Sequence, residues 1–485
     1  MQPTNLLFIL SDQHRADFLG CAGHPTVQTP HLDGLAARGV RFTNAYTNSP
    51  ICVPARAALA TGRYVHQLGN WDNAFPYTGH VPSWGHRLKA QGYRVDSIGK
   101  LHFRGLGDDS GFTEEIEPLH VVDGVGDVLA CIRENPPRRM AMRRNVEQAG
   151  PGDSTYLQYD RRNADNGCRW LRDHAQDEQP WVLFLSLVCP HPPFIAPPEL
   201  YAYYAQQDLP LPPQRQPDQW PDHPALQRMR HFFHLDEEPF GEADLHRLAA
   251  AYHGTTTFLD QRIGQVLTAL DELGLTDKTR IIYTSDHGES LGQRGHLGKF
   301  LMYEETAGIP CIVAGPDVPQ GKTVNTPVSL VDCHPTILAA VGAQPDPADA
   351  ALPGRSLWAI ANAPDHNRTV LSEFHAVATQ SAFYMVRDQQ YKYVHYAGEA
   401  PQLFDLLADP GETQDLATAP SHQATLADMA QRLYAILDPD AVDAQAKADQ
   451  QARIAEFGGE AAVRAKGSFD NSPAPGEQPK FRIEA

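Results

Sequence analysis

Apolar residues in this chain gather into short runs, and each run is bounded by polar residues. The runs "NLLFIL", "YRVDSIG", "WVLFLSLV", "RIIYTS" and "CIVAG" have the length and β-branched content of strands buried on both faces of a parallel sheet. Between them lie segments with helical spacing, such as "TPHLDGLAARG" and "LDQRIGQVLTALDELG". Strands alternating with helices predict βαβ units and an α/β sandwich. In the first helix Thr29 is placed as N-cap, Pro30 as the first helical residue and Gly39 as the stop.

Beyond about residue 365 the pattern changes. "AFYMVRDQQYKYVHYAGEAPQLFDLLADPGE" alternates apolar and polar residues with Gly and Pro turns, as antiparallel strands do. "SHQATLADMAQRLYAILDPD" comes next with amphipathic helical spacing and Ser421 as its N-cap. The expected organisation is a catalytic α/β domain over 1–364, a smaller α+β subdomain over 365–438 and a tail over 439–485. The tail is alanine-rich and then polar, and reads either as an arm for a partner subunit in a homo-oligomer or as disordered.

The polar residues at the ends of the predicted strands point to a site. Asp12 and Gln13 come after the first run, Lys100 and His102 after the second, His191 after the third, and Asp286 and His287 after the fourth. Ligands of open α/β sheets bind outside the carboxyl ends of the strands. Four strands thus deliver chemistry-bearing residues to one edge. Residues 190–224 hold eleven prolines with Tyr201, Tyr203, Tyr204 and Trp220, a density that excludes a helix or a central strand. This segment reads as a folded lid over the site or as a surface excursion.

Composition narrows the classes. A net charge of −19 argues against a nucleic-acid binder, which needs a basic face. No stretch reaches the ~20 apolar residues that cross a bilayer, so no membrane partner is expected. The seven cysteines are scattered, with no C-x-x-C pair. Together with an N-terminus that lacks a basic region and a cleavage site, they predict reduced thiols and a cytoplasmic protein.

Asp12, Gln13, Asp286 and His287 read as a split metal site, because carboxylate, amide and imidazole donors suit a divalent ion of intermediate hardness. Alternatively, Asp12 and Asp286 cap the helices after them. Lys100, His102, His191 and Lys299 would surround a cavity with cations suited to a tetrahedral oxyanion. Each taken singly reads equally as a structural histidine or a solvated lysine. Cys52 opens a short helix over "PARAALATG", where the dipole favours negative charge on its sulfur. It reads as a nucleophile or as a metal ligand.

"CVPAR" from Cys52 to Arg56, continued by "AALATGR", resembles the sulfatase signature. "GKLHF", "PHPPF", "SDHGESLG" and "QLFDLLADPGE" extend the resemblance over most of the chain. The resemblance implies an alkaline-phosphatase-like sandwich: a large, mostly parallel sheet between helices, with a small C-terminal antiparallel sheet and helix. It implies that Cys52 is oxidised to formylglycine by a formylglycine-generating enzyme, and that the aldehyde hydrate attacks a sulfate ester beside one divalent metal. In that mechanism a sulfated hemiacetal forms and then releases sulfate. Arg56 and Lys100 would stabilise the aldehyde hydrate, and His102 would take the proton in the elimination. His191 and Lys299 would hold the sulfate and protonate the leaving oxygen. Asn73 would contact substrate. The pairs Asp12-Gln13 and Asp286-His287 are similar to the branch of choline sulfatases and phosphonate monoester hydrolases, which favours Mn²⁺ with Ca²⁺ as the alternative. The expected activity is sulfuric ester hydrolysis on small aryl or alkyl sulfates, promiscuous toward phosphonate or phosphate esters. The alternatives are phosphonate monoester or phosphodiester hydrolysis, and choline sulfatase.

Overall fold

The first strand, β1 (Asn5–Asp12), explains why its run carries no alternation. Leu6, Phe8 and Leu10 enter one apolar cluster, while Leu7 and Ile9 enter another on the opposite face. The two-residue period of a strand sends successive side chains to opposite faces, so both must be apolar where both are covered. Each such side chain, fully buried, contributes about 1.5–3 kcal/mol.

The computed structural model describes residues 2–483. After β1 come α1 (Pro30–Ala37), β2 (Gly39–Phe42), α2 (Cys52–Thr61), β3 (Arg94–Lys100) and β4 (Glu114–Leu119). They are followed by α3 (Thr155–Asp173), β5 (Trp181–Pro190), the 31-residue α4 (Glu242–Glu272), β6 (Thr279–Ser285), β7 (Cys311–Ala314) and β8 (Lys322–Val324). The eight strands form one sheet in the order β8-β2-β7-β6-β1-β5-β3-β4. Residues of α1, α3 and α4 cover one face, and α2 with the helix Cys333–Val341 covers the other.

β1 is central, parallel to β5 on one side and β6 on the other. β3 is parallel to β5 as well. These four strands end at one edge of the sheet. β7 is the antiparallel member of this mostly parallel sheet: it runs antiparallel to both β6 and β2. Its short run "CIVAG" is apolar whichever way the strand points, so composition could not reveal direction.

A separate sheet of four antiparallel strands comes next, β9 (Val370–Phe374), β10 (Phe383–Arg387), β11 (Tyr391–Tyr396) and β12 (Gln402–Asp405). Met429 and Leu433 of α5 (Gln423–Ile436) pack with Leu371, Tyr384, Val386 and Leu403 of that sheet. The N-cap of α5 is His422 rather than Ser421, which lies in a preceding 3₁₀ turn.

Two segments differ from expectation. The proline-rich segment does contain a helix, Pro198–Ala205, because its prolines stand at the helix start, where no amide donor is needed. Tyr204 packs there on Ala249 and Ala250 of α4, and Trp220 lies under the Arg230 guanidinium. The tail is structured rather than disordered. It forms α6 (Pro439–Glu456) and α7 (Glu460–Lys466), then turns back through a bridge between Ser468 and Arg482.

The tail is tied down by Arg133, which is 7% exposed. Its guanidinium donates to Gln450 Oε1 and Asp443 Oδ1 of α6 at 3.0 Å each, and to the carbonyls of Thr379 (2.9 Å) and His375. Removing one partner of a buried ion pair leaves the other charge uncompensated and costs about 3–5 kcal/mol. Arg133→Ala is therefore expected to destabilise the protein by about 3 kcal/mol, read as a lowered urea midpoint. An unchanged midpoint would show that α6 is held without this arginine.

Candidate active site

The strand ends carry the site. Asp12 ends β1, and Asp286 directly follows the adjacent β6, whose Ser285 is in register with Ser11. Both carboxylates are fully buried. Arg56 joins them, with Nε 2.9 Å from Asp286 Oδ2 and Nη2 3.1 Å from Asp12 Oδ2. Its Nη1 donates to the Lys100 carbonyl (2.6 Å) and Ser186 Oγ (2.9 Å). Lys100 Nζ lies 2.6 Å from Asp12 Oδ2.

Arg56 sits on α2, and so does Cys52, one turn earlier. Residues four apart share a helix face, so docking Arg56 on the carboxylates brings Cys52 beside them. α2 is buried over its whole length. Gly62, at φ 71°, closes it by donating to the Ala58 carbonyl, and a Cβ there would meet His334 Cβ at 2.9 Å. Asn73 Oδ1 accepts from the Val53 N–H at 3.2 Å, satisfying one open donor of the first turn.

Around Cys52 Sγ stand Lys299 Nζ at 2.9 Å, His287 Nε2 at 3.1 Å and Asp12 Oδ1 at 3.8 Å. Burial and Asp12 each push the Cys52 thiol up, but Lys299, Lys100 and His287 together hold it below its ordinary value. Burial would lower Lys299, yet Cys52, Asp12 and Asp286 raise it and keep it protonated. Burial would raise Asp12, and Lys100, His191, Arg56 and Lys299 bring it well below the usual carboxylate range.

The two remaining histidines are held neutral. Burial, then Lys299, lowers His191 well below its ordinary value. Its Nδ1 lies 2.7 Å from the Pro192 carbonyl and must carry the proton, so Nε2 is the acceptor for Lys299 Nζ at 3.3 Å. Burial, then Lys100 and Arg56, lowers His102 in the same way. Gln13 and His102 adopt left-handed backbone, at φ 68° and 59°, a strained conformation that clusters at functional sites.

Asp12, Cys52, Asp286 and His287 offer ligand atoms all within 4.8 Å of one another. His287 Nδ1 lies 3.1 Å from the Gly288 carbonyl and donates to it, so that Nε2, once free of its proton, would turn a lone pair toward the carboxylates. This donor set fits a divalent metal ion of intermediate hardness. Gln13 differs from the expectation in its orientation: its Oε1 accepts from Lys299 Nζ at 3.1 Å.

All eleven residues singled out from the sequence are therefore brought to one place. Cys52, Gln13, Asn73, Lys100, His102, His191 and Lys299 line a cavity of about 100 Å³. Asp12, Arg56, Asp286 and His287 form its floor through the contacts above. Tyr201, Tyr203, Tyr204 and Trp220 are not among the lining residues. The cover comes instead from Met142, Val377, Phe469 and the parallel-stacked rings of Phe233 and Phe300, 5.4 Å apart.

Sequence reasoning missed Glu289, although it lies within "SDHGESLG". Its buried carboxylate accepts from the Gly298 N–H (2.6 Å), the Leu291 N–H (2.9 Å) and Gln13 Nε2. It thereby shapes the loop that carries Lys299 and turns the Gln13 amide. Ser472, 2.9 Å from His102 Nε2 through its Oγ, was also missed. Nothing in the polar tail "SFDNSPAPGEQ" marks it.

Comparison with known proteins gives matches over most of the chain. The family model described as sulfatase matches residues 4–343, and that described as N-sulphoglucosamine sulphohydrolase, C-terminal, matches 292–438. The choline-sulfatase of Rhizobium meliloti (strain 1021) is 30% identical over 93% of this chain and 90% of its own. Among solved structures, a protein in complex with its substrate D-glucosamine-2-N,6-O-disulfate superposes with a TM-score of 0.74 at 21% identity, covering 90% of this chain and 99% of that one. The phosphonate monoester hydrolase of Silicibacter pomeroyi gives 0.72 at 24% identity, covering 99% and 100%.

Glu289→Ala leaves three donors without their acceptor and frees the Gln13 amide. It is expected to weaken divalent-metal binding about 10–100-fold, measured by competition with a chelator. Unchanged affinity would remove Glu289 from the support of this site.

Proposed function

The chain belongs to the sulfatase family, and we propose that it is a sulfuric ester hydrolase acting on small sulfate monoesters. In this reading Cys52 is converted to formylglycine and one divalent ion, Mn²⁺ before Ca²⁺, is held by Asp12, Gln13, Asp286 and His287. The observation that carries the reading is the convergence of Lys299 and His287 on the sulfur of a cysteine that opens a Cys-x-Pro-x-Arg helix beside two buried carboxylates. Formylglycine would supply a self-regenerating diol nucleophile, and the metal the positive charge that favours its ionised hydroxyl.

The chain's own groups supply the rest. Arg56 and Lys100 hold Asp12 ionised and fix the floor of the cavity. Lys299 faces the atom at position 52 and is the donor for sulfate oxygens and the leaving alcohol, while His191, whose Nε2 accepts from the Lys299 ammonium at 3.3 Å, orients it. His102, kept neutral by burial, Lys100 and Arg56, is the base for sulfate release. Asn73 contacts substrate from the cavity wall.

The size of the cavity and its Phe233–Phe300 wall support a small aryl or alkyl group on the ester. A cationic alcohol such as choline is less well served. The acids that line the cavity, Asp127 and Asp470, are already paired with Arg139 and Arg144. We also read the protein as cytoplasmic, which the seven unpaired thiols support.

Matched aryl sulfate and aryl phosphonate esters separate this reading from its main alternative. A higher kcat/KM on the sulfate is expected, and a large preference for the phosphonate would replace the reading with a phosphonate monoester hydrolase. Lys299→Ala should lower kcat/KM on the sulfate about 10²–10³-fold, since it removes a preorganised donor to developing charge. Dialysis against a chelator should abolish turnover, and added Mn²⁺ should restore it.

A further inference from the structure

The tail brings one side chain into contact with the proposed machinery. Ser472 is 7% exposed, and its Oγ lies 2.9 Å from His102 Nε2. Among the described residues no other hydrogen bond holds the His102 ring, and its buried Nδ1 has no partner. The strap that carries Ser472 is fixed at several points. The Tyr156 hydroxyl donates to the Ser472 carbonyl, and the Tyr156 ring stands edge-on to His191, with centroids 5.8 Å apart. Asp470 receives a two-point contact from Arg144. Ser468 and Arg482 exchange backbone hydrogen bonds of 2.8 and 2.7 Å, closing the strap into a loop.

We propose that Ser472 is a positioning residue for His102: its hydroxyl accepts from Nε2–H, fixing the tautomer in which Nδ1 keeps its lone pair as the base. The opposite tautomer would leave a buried Nδ1–H without an acceptor, the costlier arrangement for a desolvated donor. The chemistry asks for the same tautomer. A base that removes a proton at Nδ1 becomes an imidazolium, and the Ser472 oxygen already accepts from the nitrogen that shares its charge. The site is thus incomplete without the returning tail, although that tail lies outside the α/β domain.

The catalytic part of this inference rests on the sulfatase reading, but the hydrogen bond does not, so the test has two arms. In the first, purified protein without added metal is studied by long-range ¹H–¹⁵N correlation of histidine rings, with His102→Gln assigning the signal. Wild type should show the Nε2–H tautomer of His102. Ser472→Ala should shift it toward a tautomer mixture, and Ser472→Thr, which keeps the hydroxyl, should restore it. A His102 signal unchanged in Ser472→Ala overturns the proposal.

In the second arm, Ser472→Ala should lower kcat on an aryl sulfate about tenfold with KM unchanged or lower, and Ser472→Thr should recover most of it. Equal kcat in Ser472→Ala and wild type overturns the catalytic role. If wild type turns over no sulfate ester, the function reading has failed, and the ring spectra still decide the tautomer.

Discussion

Asp12 and Asp286 stand at the ends of neighbouring parallel strands with no exposed surface, and buried carboxylates stay ionised only where cations meet them. Arg56 meets both, and Lys100 meets Asp12. That requirement fixes α2, because a guanidinium reaching both carboxylates leaves its helix one docking position. The alanines of α2 and Gly62 at its end allow the close approach. Cys52, one turn before Arg56, then has its place decided for it, next to His287 and within reach of Lys299. The spacing of cysteine and arginine in "CVPAR" is, in this sense, the geometry of the site written in sequence.

Much of this was legible before any coordinates. Strands buried on both faces announce themselves as unbroken apolar runs, and the polar residues just after them are delivered to one edge by the parallel arrangement. That logic located Asp12, Lys100, His102, His191 and Asp286. What escaped it depends on long-range packing. β7 is apolar in either direction, so its antiparallel course was invisible. Tyr201, Tyr203, Tyr204 and Trp220 look like a lid in sequence, but Tyr204 finds a better apolar partner in the long helix α4. The tail is rich in alanine and poor in large apolar residues, and its order rests on the packing of Ala446 and Val463 together with ion pairs such as Arg133–Asp443 and Arg144–Asp470, whose partners lie 310 and 326 residues apart.

The same tail lines the site. Residues 468–472 line the cavity together with Phe233 and Phe300, so the floor and the cover of the site come from different parts of the chain. The floor is built on strand ends, where the backbone is most constrained. The cover is built on loops and on the returning tail, where substitutions can be made without disturbing the carboxylates. The fold is shared with a phosphonate monoester hydrolase and with a protein solved in complex with D-glucosamine-2-N,6-O-disulfate, and a shared fold does not by itself fix the substrate.

The proposed chemistry turns on the state of residue 52. Active protein made together with a formylglycine-generating enzyme can be digested and the peptide containing Cys52 weighed by mass spectrometry. The expected result is a peptide in which an aldehyde has replaced the thiol. An intact thiol in fully active protein would contradict it.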